Sequence, residues 1–289
     1  MKSGINTCPL SISSNQTNWG RQPNIRNETI RGKMAMQKRL LAAAAAIMMP
    51  ATSFAAPVDL SGWIENGRPN NGAGTWTVQG SNNDSVLQSR NGNPTVFFDP
   101  TANSQGTSLA GRITVETTGD DDFIGFVLGY QNNEINSTNA DFWLIDWKQG
   151  DQSPAVDGLA LSHVSGDLTG TSGSSFGGWW NHVAPINEVQ RASGLGSTGW
   201  NDNQEYIFDI VFTSSLIEVK VDGQTELSYA GNFTDGSFGF YNFSQAQVRY
   251  AGITQDVVPT TVPLPAALPL LAGGLGILGL AGWRRRNSI

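Results

Sequence analysis

Between residues 74 and 255, apolar side chains return at every second position in short runs, and each run is closed by Gly, Asn, Asp, Ser or Pro. A period of two marks a strand with one face buried, and the closing residues are turn formers. No long stretch of this span has the three-to-four-residue apolar spacing of a helix. A doubly wound parallel sheet needs helices between its strands, so that class is excluded. No segment repeats at fixed period, which argues against a propeller or solenoid. The remaining class is an all-β antiparallel sandwich of about ten short strands.

Individual runs carry this reading. "GTWTVQG" (74–80) puts Trp76 and Val78 on one face, "PTVFFDP" (94–100) is a short apolar run, and "SLAGRITVETT" (108–118) alternates through Ile113 and Val115. "DFIGFVLGYQ" (122–131) is almost continuously apolar, as expected of a central strand covered on both faces. In "DFWLIDWKQ" (141–149), Phe142, Leu144 and Asp146 share one face, and Trp143, Ile145 and Trp147 the other. "EYIFDIVFT" (205–213) alternates. "LIEVKVDGQTELSY" (216–229) reads as a hairpin about a type I′ turn at Asp222-Gly223. "GSFGFYNFSQAQVRYAGITQ" (236–255) supplies two more strands. Residues 151–200 are rich in Gly, Ser and Trp and show weak strand content.

The two ends read differently from this body. Residues 1–33 are polar and aperiodic, a disordered leader or a mis-assigned start. Residues 34–55 have the parts of a secretory signal: Lys38 and Arg39, an apolar run from Leu40 to Met49, and small residues at Ser53 and Ala55. Cleavage is expected after Ala55 or after Ala56. The body, 57–256, is followed by a linker at 257–261 and a terminal segment at 262–289. That segment holds Val262-Pro263-Leu264-Pro265-Ala266, an uncharged stretch from Ala266 to about Trp283, and Arg284-Arg285-Arg286. The stretch is about long enough for a transmembrane helix, and the three arginines would stop it on the cytoplasmic side. The order of motif, apolar helix and Arg cluster resembles the VPLPA variant of the PEP-CTERM sorting signals of Gram-negative bacteria. That resemblance implies an exosortase-like sorting enzyme, transient anchoring in the inner membrane, and a mature protein at the cell surface or beyond it.

The chain's one cysteine, Cys8, lies ahead of the signal, so the body has neither a disulfide framework nor a thiolate site. The two histidines, His163 and His182, lack metal-ligand spacing and read as loop residues. Within residues 57–261, seven Lys and Arg face 23 Asp and Glu, a net charge of −16. Such a surface repels nucleic acid and attracts cations.

The blocks "DDDFIGFVLGYQ", "FWLIDWKQ", "GLALSHV", "STGWNDNQEYIFDIVFTSSLIEVKVDG" and "GSFGFYNFSQAQVRYAGI" occur in that order. Together they resemble the C-terminal lectin-like domain of thrombospondins. The resemblance implies a jelly-roll sandwich similar to concanavalin A and the legume lectins, and calcium binding.

Three consecutive carboxylates, Asp120, Asp121 and Asp122, stand at the entrance to the continuous apolar strand. A glycosidase needs two carboxylates facing each other across a cleft, and consecutive residues on a strand cannot all point one way. No Ser/His/Asp set is apparent. Clustered aspartates suit a hard cation such as Ca²⁺, which takes six to eight oxygens; they equally suit a solvated acidic turn. Asp146, Asp202 and carbonyls of neighbouring loops are the oxygens available to complete the shell. The family resemblance favours Ca²⁺, held by Asp120 and Asp122, then Asp121, with Asp202 of the "GWND" turn as a further donor. Trp179, Trp180 and Trp200 flank Gly-rich loops, where such rings either stack on sugars or anchor the loops. The leading expectation is a non-enzymatic, calcium-binding surface protein of adhesion or extracellular matrix, partnered by a polysaccharide or matrix protein. A lectin with a defined glycan and a jelly-roll polysaccharide hydrolase are the alternatives.

Overall fold

The computed structural model describes residues 55–68, 74–169 and 178–258. They build fifteen strands: β1 (Ala56–Pro57), β2 (Ile64–Gly67), β3 (Trp76–Gln79), β4 (Ser85–Gln88), β5 (Thr95–Phe98), β6 (Thr107–Val115), β7 (Phe123–Tyr130), β8 (Ala140–Lys148), β9 (Gly158–Gly166), β10 (Ile186–Arg191), β11 (Glu205–Phe212), β12 (Leu216–Val221), β13 (Gln224–Ala230), β14 (Ser237–Phe243) and β15 (Val248–Val257). One turn of α-helix, α1, spans Gly178–Asn181, and 3₁₀ turns span Leu60–Gly62 and Glu134–Asn136. The signal segment before Ala55, the sorting motif and the stretch through Arg286 lie outside the described residues. Among the described residues, no helix is long and apolar enough to cross a membrane.

All strand pairs are antiparallel and fall into two sheets. One has the order β13-β12-β11-β6-β15-β4-β3, with β1 also paired to β15; the other has the order β10-β9-β8-β7-β14-β5-β2. This is the all-β antiparallel sandwich expected from the alternation. Ile124, Phe126 and Leu128 of β7 and Trp143, Ile145 and Trp147 of β8 face Phe208, Ile210, Val219 and Tyr250 of the opposite sheet in one apolar core. The hairpin turn is as read: Asp222 and Gly223 both have positive φ, 49° and 78°, as type I′ requires.

A second apolar cluster lies on the outer face of the seven-stranded sheet. Phe123, Val127, Phe142, Leu144, Val164 and Tyr241 are covered there by residues of the connecting segments, among them Ile135, Ala155, Leu168 and Trp179. All eight residues of β7 are therefore buried, which is why that strand has no polar alternation. The long stretch after residue 150 holds more order than its composition suggests. β9 pairs with β8 over nine residues and β10 extends the sheet to its edge. Leu159, Leu161 and Val164 are buried, but Gly, Ala and Ser between them dilute the strand signal.

Candidate functional site

The acidic triplet sits where the chain enters β7. Asp120 has φ 115°, a region that L-residues rarely adopt. This turn overrides strand alternation. The three carboxylates, expected to diverge, converge, with one oxygen of each within 4.8 Å of the others. Asp120 and Asp121 are partly exposed, and Asp122 is buried at 3 %. The Asp120 carboxylate accepts from the Asn91 amide, and the Ser244 hydroxyl lies 3.4 Å from Asn91 Oδ1.

The triplet already faces one cation. Phe123 pairs with Lys148 across β7 and β8, and this register brings the fully buried Lys148 under the triplet. Lys148 Nζ donates to Asp122 Oδ1 at 2.8 Å, to the Asp121 carbonyl at 2.9 Å and to Gln152 Oε1 at 2.8 Å. Its three N–H groups are thereby satisfied, and it lies 5.0 Å from the Trp180 ring centroid and 5.4 Å from that of Phe123. Burial raises the Asp122 pKa above the ordinary carboxylate value, against the lowering hydrogen bond and charge of Lys148. The donors are all oxygens, and Lys148 supplies a single positive charge. Asp120, Asp121 and the second oxygen of Asp122 thus fit a hard cation, with the Asn91 side chain beside them.

Asp202 and Asp146 are not part of this convergence. Asp202 Oδ1 accepts from Gln149 Nε2 at 3.1 Å in the adjacent loop. Asp146 is 1 % exposed and accepts from His182 Nε2 at 2.9 Å. The loop reading of the histidines is corrected for His163 alone; His182 lies in the turn between α1 and β10, as read. His163 lies on β9, stacked on Trp143 at 4.5 Å. The His182 side chain is 9 % exposed, between Asp146 and Glu188, whose Oε2 is 3.5 Å from Nδ1. Burial opposes a charged imidazolium there, but the charge and hydrogen bond of Asp146, with Glu188 in support, push His182 up to about 9. Burial likewise opposes the Glu188 charge, yet His182 and Arg191 bring it down to about 2. Arg191 holds Glu188 through two N–H···O contacts of 3.0 and 2.8 Å. A small cavity of about 50 Å³ adjoins this cluster, lined in part by Val156, Trp180, Asn181 and His182.

The tryptophans divide. Trp179 and Trp200 are 0 % and 1 % exposed and anchor their loops in apolar surroundings. Trp200 Nε1 lies 3.1 Å from both the Asp122 and Trp147 carbonyls, which ties the "GWND" turn to the acidic entrance. Trp180 is half-buried, edge-on to Phe123 and Phe243.

The model of a family described as thrombospondin C-terminal region matches residues 71–257. Thrombospondin-3b of Danio rerio is 24% identical over 186 residues, which cover 58% of this chain and 19% of that protein. Thrombospondin-4-B of the same organism is 26% identical over 196 residues, covering 60% and 20%. The match thus spans about a fifth of the length of these curated relatives. Among solved structures, a carbohydrate binding module from Bacillus subtilis superposes with a TM-score of 0.47 at 11% identity, over 68% of this chain and 95% of that one.

Proposed function

Because this chain belongs to the thrombospondin C-terminal region family, we propose that it is an exported, non-catalytic binding domain that holds Ca²⁺ at the entrance to β7 and serves adhesion or the extracellular matrix. The observation that carries this reading is the convergence of Asp120, Asp121 and Asp122 within 4.8 Å at the rim of the sandwich. One ammonium among three carboxylates leaves negative charge, and a divalent ion would offset the remaining repulsion. Asp120 and Asp121 are the principal donors. Asp122 is committed through one oxygen to Lys148 and offers the other.

Three elements meet at this rim: the entry to β7, the end of β8, and the loop that carries Trp200. A cation there would pin the loops that a partner meets. The partner class proposed is an extracellular polysaccharide or matrix protein, consistent with a body of net charge −16 that gains surface complementarity through bound cations. The export signal ending at Ala55 or Ala56 and the VPLPA-type tail support a route across the inner membrane and processing by an exosortase-like enzyme.

Calcium titration by calorimetry on the full chain tests the reading, with Asp120→Asn as comparison. Asp120 is the informative position, because its loss removes a donor without stranding Lys148. Saturable heat in the parent chain, weakened at least tenfold in the variant, is expected. An absence of heat from micromolar to millimolar calcium would refute calcium binding.

A further inference from the structure

We infer that the segment from Gly178 to Ile186 is a strap latched onto the outer face of the seven-stranded sheet by a charged His182, and that loss of this charge releases it. The strap consists of α1 and the turn leading into β10. Trp179 is fully buried beneath it, stacked on Tyr241 of β14 at 5.9 Å and 19°. Trp180 meets Phe123 and Phe243 edge-on. Besides these rings and the Ser165 N–H of β9, which donates to the Pro185 carbonyl at 2.9 Å, the strap is held by His182, which reaches Asp146 on β8 and Glu188 on β10.

Two features make this hold a latch. First, His182 has φ 49°, a left-handed backbone that a histidine adopts at a cost, so its side-chain partners must offset strain. Second, Asp146 is 1 % exposed, and its Oδ1 has no hydrogen-bond partner among the described residues, so its buried charge is met through Oδ2 by His182. A neutral imidazole would leave that carboxylate buried without a counter-charge, which strongly favours opening.

The charged and titratable groups around His182 all fit this assignment. β8 supplies Asp146 and Lys148, with Lys148 turned to Asp122 and Gln152. β10 supplies Glu188 and Arg191, paired to each other. β14 supplies Tyr241, which burial keeps neutral. β7 contributes the apolar Phe123, and the strap itself carries no other ionisable side chain. The strap is therefore closed at neutral pH and loosens toward alkaline pH, uncovering Tyr241, Asp146 and the aromatic rings of the sheet face.

The test is limited proteolysis of the full chain by subtilisin between pH 6 and 10, with cut sites located by mass spectrometry and rates normalised to an unstructured peptide. Native-state cleavage reads even a small open fraction. Cutting between Gly178 and Ile186 should accelerate about tenfold per pH unit across the window from roughly 6.5 to 9 and then level off. Cutting within β7 and β8 should stay slow. In His182→Gln the strap should be cut rapidly at every pH. If that variant fails to fold, Glu188→Gln serves instead, with an intermediate rate and a plateau reached at lower pH. A strap cutting rate independent of pH in the parent chain, or a pH dependence that persists in His182→Gln, would overturn the inference.

Discussion

Lys148 Nζ lies 2.8 Å from Asp122 Oδ1, and both side chains are almost wholly removed from solvent, at 0% and 4% exposure. The pair joins the last residue of β8 to the residue before β7. Lys148→Met strands a buried carboxylate and should cost about 3–5 kcal/mol. The double variant Lys148→Met with Asp122→Asn removes both charges and should recover more than half of that loss. Urea denaturation of the four chains in the cycle measures both quantities. A double variant no more stable than Lys148→Met would show that the pair is not the source of the loss.

The Asp146–His182–Glu188 cluster sets a bell in stability against pH. His182 is raised from 6.5 to about 9 in the folded chain, so its contribution is complete below pH 6.5 and is lost as pH rises through 9. Glu188 is lowered from 4.5 to about 2, so its contribution is complete above pH 4.5 and is lost as pH falls through 2. Between pH 4.5 and 6.5 both contributions are whole. Subtracting the melting temperatures of Glu188→Gln from those of the parent, pH by pH, should give a difference that is largest between pH 4.5 and 6.5 and shrinks on the acid side, with a smaller loss on the alkaline side because Glu188 helps to hold His182 charged. The same subtraction with His182→Gln should shrink mainly on the alkaline side.

Trp200→Phe keeps most of the buried ring volume but removes the indole N–H that lies 3.1 Å from the Asp122 and Trp147 carbonyls. The loss should be about 1–3 kcal/mol, the cost of leaving buried acceptors unmet. Glycine at the preceding position is a steric requirement: a Cβ on Gly199 would stand 1.8 Å from the Gln149 carbonyl oxygen. Gly199→Ala should therefore destabilise the domain more than Trp200→Phe does, although it adds only one methyl group. Denaturation midpoints of the two variants decide the order.

The fold was legible where side chains are large and alternate. β7 announced itself as a strand covered on both faces because all its positions are buried, and β12 and β13 announced themselves through Asp222-Gly223. β2 (Ile-Glu-Asn-Gly) and β4 (Ser-Val-Leu-Gln) are no shorter than β3 and β5 but lack the aromatic side chains that marked those two. β9 was obscured by glycine, alanine and serine at its sheet positions. The acidic triplet was legible as a cluster, but its convergence depends on the backbone of Asp120, which no side-chain pattern records. The His182 cluster draws on β8, β10 and the strap, segments up to 42 residues apart, and only the sheet order brings them together. One signal was available: Asp146 and Lys148 share the outward face of an otherwise apolar strand, and buried charges of that kind require partners.

Calcium linkage gives the most direct measurement on the acidic entrance. A ligand that binds only the folded chain stabilises it by about 2.7 kcal/mol when present at 100 times its dissociation constant. For a domain of this size, that corresponds to a rise of roughly 5–10 °C in melting temperature. Adding chelator to the full chain should remove the whole increment. In Asp120→Asn the calcium increment should fall to about half or less, since a site at least tenfold weaker is at most about ten times saturated at that calcium concentration, while Lys148 stays paired. Asp202→Asn should retain the calcium increment, because Asp202 is bonded to Gln149 and stands apart from the converging oxygens. Equal melting temperatures for the parent with calcium and with chelator would remove the metal from this site and leave Lys148 as the counter-charge of Asp122.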